Sequence, residues 1–136
     1  MGDHFYTIDA AERDSAIRGG YQFERIECYV LPPLVVPPPP GQVALLRFFN
    51  QDTGNHFYTT SATEGQGAVS GGGYRQEPTA CYVFPAPTVG AVALFRLYNG
   101  REGGNDHFLT ASNCRVPFGR INCIEMVAHC FLPRKS

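Results

Sequence analysis

From Val43 to Asn50 the chain reads V-A-L-L-R-F-F-N, and under a two-residue period neither side of that run is polar. Val43, Leu45, Arg47 and Phe49 share one face; Ala44, Leu46, Phe48 and Asn50 share the other. A strand apolar on both faces belongs inside a sheet or between layers, so this segment is expected to be buried. The turn-forming N-Q-D-T-G-N follows, then the aromatic and β-branched H-F-Y-T-T, which together predict strand–turn–strand. V-A-L-F-R-L-Y-N at 92–99, with N-G-R-E-G-G-N and H-F-L-T behind it, repeats that order. The stretch A-A-E-R-D-S-A-I-R-G-G-Y (10–21) predicts one short helix ended by Gly19 and Gly20. Its counterpart A-T-E-G-Q-G-A-V-S-G-G-G-Y (62–74) carries too much glycine for a full helix. The third counterpart, N-C-R-V-P-F-G-R-I-N-C (113–123), contains proline and differs again.

One phrase organises the chain: G-D-H-F-Y-T-I-D at 2–9, G-N-H-F-Y-T-T-S at 54–61 and N-D-H-F-L-T-A-S at 105–112. Its histidines, His4, His56 and His107, stand 52 and 51 residues apart. Each phrase is followed by a run from a glutamate to a proline: E-R-I-E-C-Y-V-L-P (24–32), E-P-T-A-C-Y-V-F-P (77–85) and E-M-V-A-H-C-F-L-P (125–133). These align Glu24, Glu77 and Glu125, with Cys28, Cys81 and His129 four residues on. Self-similarity at a period near 50 residues marks a repeat-built architecture. The expectation is one domain of units 1–40, 41–89 and 90–136, mainly β, in a pseudo-threefold barrel, trefoil-like or toroidal arrangement. The proline-rich segments 31–41 and 85–91 read as spacers between units. The first phrase has no V-A-L-x-R strand before it, and the edge so exposed can pair with another protomer to give a homodimer.

Composition narrows the function. With 136 residues, 43% of them hydrophobic and a net charge of −1, a globular core is expected and a nucleic-acid partner is not. No apolar stretch reaches the length of a membrane span, and the N-terminus M-G-D-H-F-Y-T lacks a signal peptide's apolar region, so a cytoplasmic or non-classically secreted protein is expected. Five cysteines without a C-x-x-C pair read as reduced, mostly buried thiols, with a Cys114–Cys123 bridge as the other reading.

L-L-R-F-F-N, G-N-H-F-Y-T-T-S, G-G-G-Y and A-C-Y-V-F-P in the second unit, with G-D-H-F-Y-T, A-E-R-D-S-A-I and G-G-Y-Q-F-E in the first, carry a resemblance. The chain resembles a short bacterial and fungal repeat domain of unknown function built on the G-D-H-F-Y-T-T phrase. The third unit keeps L-F-R-L-Y-N and D-H-F-L-T but not the Gly-Gly-Tyr element. The family's occurrence beside extracellular hydrolase and adhesion-type domains implies a binding accessory role. In format, though in no shared motif, the chain is similar to small mushroom lectins.

Recurrent charged and aromatic residues are the candidate chemistry. Equivalent histidines around an axis can ligate a metal, but recurrence in every unit favours a structural role, and no cofactor or metal is expected. Arg47 and Arg96, on apolar strands, need partners when buried, and the recurrent glutamates are the candidates. A symmetric repeat gives no reason for paired carboxylates with split pKa values, and no nucleophile or phosphate-cradling motif occurs, so no enzyme is expected. Repeated sites gain avidity, which suits glycans. The expected function is a lectin with two or three related sites, formed by Asp3, His4, Tyr6, Tyr21 and Glu24, by Asn55, His56, Tyr58, Tyr74 and Glu77, and by Asp106 and His107. The rival reading is a protein-binding module or hydrolase inhibitor acting through variable loops at 8–20, 60–73 and 111–121. Tyr and Glu lining pockets would favour the lectin; buried Tyr and Glu would favour the rival.

Overall fold

The computed structural model describes residues 3–34, 36–99, 106–111 and 122–130. Among them the chain is mainly β. Two antiparallel hairpins form as the patterning requires. Strand β1 (Val43–Asn50) pairs with β2 (Asn55–Thr59), and β5 (Val92–Asn99) pairs with β6 (Asp106–Thr110). Their registers run in step: Arg47 lies opposite Tyr58 and Phe49 opposite His56, as Arg96 lies opposite Leu109 and Tyr98 opposite His107. Gly54, at φ 72°, makes the first turn in the left-handed region that glycine enters without a steric penalty.

On its other side β1 is covered by two short strands, β3 (Arg75–Gln76) and β4 (Cys81–Val83), joined through the bonds Glu77 N–H to Arg47 O and Ala80 N–H to Leu45 O. The single strand β7 (Asn122–Cys130) does the same for β5, with two register irregularities. β1 and β5 are therefore the central strands of a four-stranded and a three-stranded sheet. No closed barrel forms among the described residues.

One core joins the sheets. Leu45, Tyr58, Cys81, Val83, Leu94 and Leu109 are buried together, with Tyr6, Cys28 and Val30 of the first unit packed against them. Cys28 is half-buried and Cys81 buried, and the Cys114–Cys123 bridge falls on side chains outside those described. No helix among the described residues is long and apolar enough to cross a membrane.

Two of the three variable stretches hold helices. α1 (Ala10–Arg18) is as the sequence predicts, with Asp9 capping the N–H groups of Ala11 and Glu12. α2 (Ala62–Gly72) corrects the glycine-based expectation by running eleven residues. Ser61 caps its start, Gly73 ends it at φ 73°, and packing outweighs weak propensity. Gly65 sits directly on Phe48, where a Cβ would stand 2.3 Å from the ring's Cζ. The third variable stretch, 111–121, lies almost wholly outside the described residues.

Two substitutions separate packing from propensity. Gly65→Ala is expected to destabilise the protein by about 1–3 kcal/mol through overpacking. Gly67→Ala, on the same helix with nothing within 4 Å, is expected to stabilise it by about 0.5–1 kcal/mol. Denaturant midpoints of the two variants check both signs.

Candidate functional site

The three phrases meet. β2 and β6 hold the second and third in their hairpins. The first, residues 3–7, has no ladder partner among the described residues and is tied down by side chains instead. The Asp3 carboxylate accepts the backbone N–H of His56 at 2.8 Å and its ring Nδ1–H at 2.6 Å. Asp106 grips His4 in the same way, at 3.2 and 2.6 Å. Each acid so binds the histidine of another phrase. The phenylalanines follow suit: Phe5 packs on His56 (4.8 Å between centroids), Phe57 on His107 (5.0 Å) and Phe108 on His4 (5.1 Å). Those three contacts close a ring of phrases.

Most other polar groups of the phrases bond within that ring. The Tyr58 hydroxyl accepts the Tyr6 N–H and donates to the Tyr6 carbonyl, while the Tyr6 hydroxyl does the same to Leu109. Tyr21 donates to Asp3. The far nitrogen of His56 lies 3.3 Å from Glu77, and that of His4 lies 3.8 Å from Glu24. Arg47 donates through Nε to Glu77 and through both terminal nitrogens to Glu12, over the Phe5 ring. Arg96 forks onto Glu64, donates to the Tyr58 carbonyl and lies over Phe57. Glu77 is thus the partner expected for Arg47, and the register puts Glu125 opposite Arg96.

Of the expected site residues, Asn55, His56, Tyr58 and Asp106 are buried. Asp3, His4, Tyr6, Tyr21, Tyr74, Glu77 and His107 are half-buried, and Glu24 is exposed. Tyr74 stands apart from the polar network and packs on Phe57. The histidines do not converge on an ion: among the described residues no group of three or more His, Cys, Asp or Glu is placed to hold a metal. Glu12 and Glu64 were missed by the sequence reading, although each follows its phrase histidine by the same eight positions.

The same phrase titrates differently in each copy. The hydrogen bond that His4 donates to Asp106, working against burial, raises the pKa of His4 above its usual 6.5. Burial, aided by the Arg96 charge, lowers His107 to about 4. Its Nδ1 has no hydrogen-bond partner, and the acid of the other two phrases is here Asn55. Burial alone would lift Asp3, but its bonds from His56 and Tyr21 hold it below the usual carboxylate value. Glu12 and Glu64 are lowered by their bonds from Arg47 and Arg96.

The signs give a pH profile. A base with a lowered folded pKa costs stability as pH falls from its unfolded value, so His107 destabilises the fold between about pH 6.5 and about 4. The lowered carboxylates of Asp3, Glu12 and Glu64 lose their contribution further into acid. His4 acts oppositely: its contribution is complete below pH 6.5 and lost as pH rises through its raised folded value. Asn55→Asp is expected to raise the His107 pKa by at least about one unit and to flatten the loss of stability between pH 6.5 and 4. Imidazole NMR titrations with denaturant midpoints at both pH values check it; an unmoved His107 resonance would refute the assignment of position 55 as its missing acid.

Neither a curated protein nor a solved structure matches the chain. A family model described as a domain of unknown function (DUF5648) matches residues 1–115. The phrase, its hairpins and most of the ring of contacts all fall within that span, and the chain belongs to this family.

Proposed function

We propose that this chain is a non-enzymatic recognition module whose ligand is a polypeptide, bound along the exposed apolar stretch 23–36 of the first unit. One comparison carries the reading. Tyr82, inside the second unit's run, is 4% exposed beneath β1, whereas its counterpart Tyr29 is 51% exposed. Phe23, Ile26, Leu31, Leu34 and Val36 of the same segment are exposed as well. Several large apolar side chains left exposed along one segment are the kind of surface that marks an interaction site. Tyr6, Tyr21 and Tyr58 and the carboxylates of Glu12, Glu64 and Glu77 are engaged in internal bonds, which favours protein over repeated sugar pockets. A non-catalytic role is supported by His56, whose two ring nitrogens both face carboxylates, leaving none to take a proton from a nucleophile. The closed set of Phe–His contacts supports a pseudo-threefold relation among the units.

Carbohydrate binding is the second reading, supported by the exposed Glu24 carboxylate beside the His4 and Phe108 rings. Panning a displayed-peptide library on the protein, with a glycan array in parallel, decides between them. The expected outcome is a family of related peptides whose enrichment disappears with the Phe23→Ser/Ile26→Ser variant, with no glycan class bound. Binding to one glycan class and to no peptide family would replace the first reading with the second.

A further inference from the structure

In the second unit the phrase strand β2 and the run β3–β4 lie on opposite sides of β1; in the third, β6 and β7 flank β5 in the same way. The first unit has both flanks, residues 3–7 and 24–30, and no strand between them among the described residues. We propose that this gap is a strand-accepting slot, which takes an extended segment of a partner protein with the pattern apolar-x-Arg-x-(Phe/Tyr)-Asn. The proposal rests on the polypeptide-binding reading and specifies its ligand.

Three partners missing at one place define the occupant. His56 is covered by Phe49 of β1 and His107 by Tyr98 of β5, at 4.7 Å each, but among the described residues His4 has no such aromatic from a central strand and meets only Phe108 of β6. Arg47 lies over Phe5 and Arg96 over Phe57, whereas no cation among the described residues lies over Phe108. Glu77 accepts from Arg47, whereas among the described residues Glu24 meets only His4. The exposures agree: the His4 side chain is 32% exposed against 9% for His56, and Glu24 71% against 22% for Glu77. An arginine, with an aromatic two residues later, answers all three deficits at once.

The slot is also held open. The His–Glu contact beside β1 measures 3.3 Å in the second unit and 3.8 Å in the first, so the flanks keep nearly the spacing of a filled slot. The inward amides of His4 and Tyr6 are taken by Asp106 and Tyr58. In an extended chain the alternate amides, those of Phe5 and Thr7, then face the gap, available to a new strand. A second copy is a poor source. Its two R-x-(F/Y)-N strands, β1 and β5, are central in their own sheets.

The test is a fluorescein-labelled peptide with the sequence of residues 41–51, titrated with the full chain and followed by anisotropy and by amide hydrogen exchange. Saturable binding is expected, with slowed exchange at Phe5 and Thr7. Replacing the peptide's arginine (Arg47→Ala) or the protein's Glu24 (Glu24→Gln) should weaken binding by about tenfold, as expected for a lost charged hydrogen bond. Glu24 is exposed, so its variant should keep the wild-type denaturant midpoint. No binding, or binding indifferent to arginine and Glu24, would overturn the slot. So would a concentration-dependent dimer that the peptide dissociates, because a second copy would then be the occupant. If this peptide fails while library peptides still depend on Phe23 and Ile26, the slot falls and polypeptide recognition stands; if both fail, both fall.

Discussion

A carboxylate that holds a histidine by its backbone and its ring at once is the contact on which the rest of this molecule depends. Asp3 does this to His56 across 53 residues, and Asp106 does it to His4 across 102. Each acid satisfies two donors in a partly buried place, and hydrogen bonds to a charged group contribute about 1.5–3 kcal/mol each. The first phrase has no ladder partner among the described residues, so these bonds are what hold it in place there. Once His4 and His56 are fixed, the phenylalanines have rings to pack on, and the Tyr6 and Tyr58 hydroxyls reach the backbone of other phrases.

The buried arginines do a second job. A guanidinium withdrawn from water is costly unless its donors are met by a carboxylate in good geometry. The terminal nitrogens of Arg47 and Arg96 meet that requirement with Glu12 and Glu64, each gripped by two nitrogens, while the buried Nε of Arg96 has no partner among the described residues. Those glutamates come from helices. α1 buries no residue at all, so no apolar face attaches it to the sheet. What fixes α1 is its Asp9 cap and the Glu12–Arg47 fork. Charge here positions secondary structure that hydrophobicity leaves loose.

The hairpins were legible in the sequence because their apolar alternation and turn residues agree, and β1–β2 and β5–β6 form where that pattern places them. The Arg47–Glu77 pair was legible because a charge on an apolar strand must find a partner. α2 was misread, since propensity counts glycines but not the ring of Phe48, against which only glycine fits at position 65. Glu12 and Glu64 were hidden for a related reason: they sit in stretches whose sequences differ, and only the folded positions of Arg47 and Arg96 show that both do the same work. The use of one phrase's acid by another phrase's histidine was beyond reach. Local patterns describe what a segment wants, not which copy supplies it.

Three copies of one phrase have ended in three environments. In the second, Asp3, Glu77, Phe5 and Phe49 enclose His56 from every side. In the third, an asparagine stands where the others carry an acid, and His107 stays neutral well below the usual pH. In the first, the residues are all present and, among the described residues, the covering strand is not: His4 and Glu24 keep their chemistry but are more exposed than their counterparts. A repeat that served only to build the fold would gain nothing from leaving Tyr29, Glu24 and His4 in water. The first two units share the recurrent histidine and glutamate while the exposure of those residues differs, and that mismatch, rather than any unusual side chain, supports placing the proposed binding surface at the first unit.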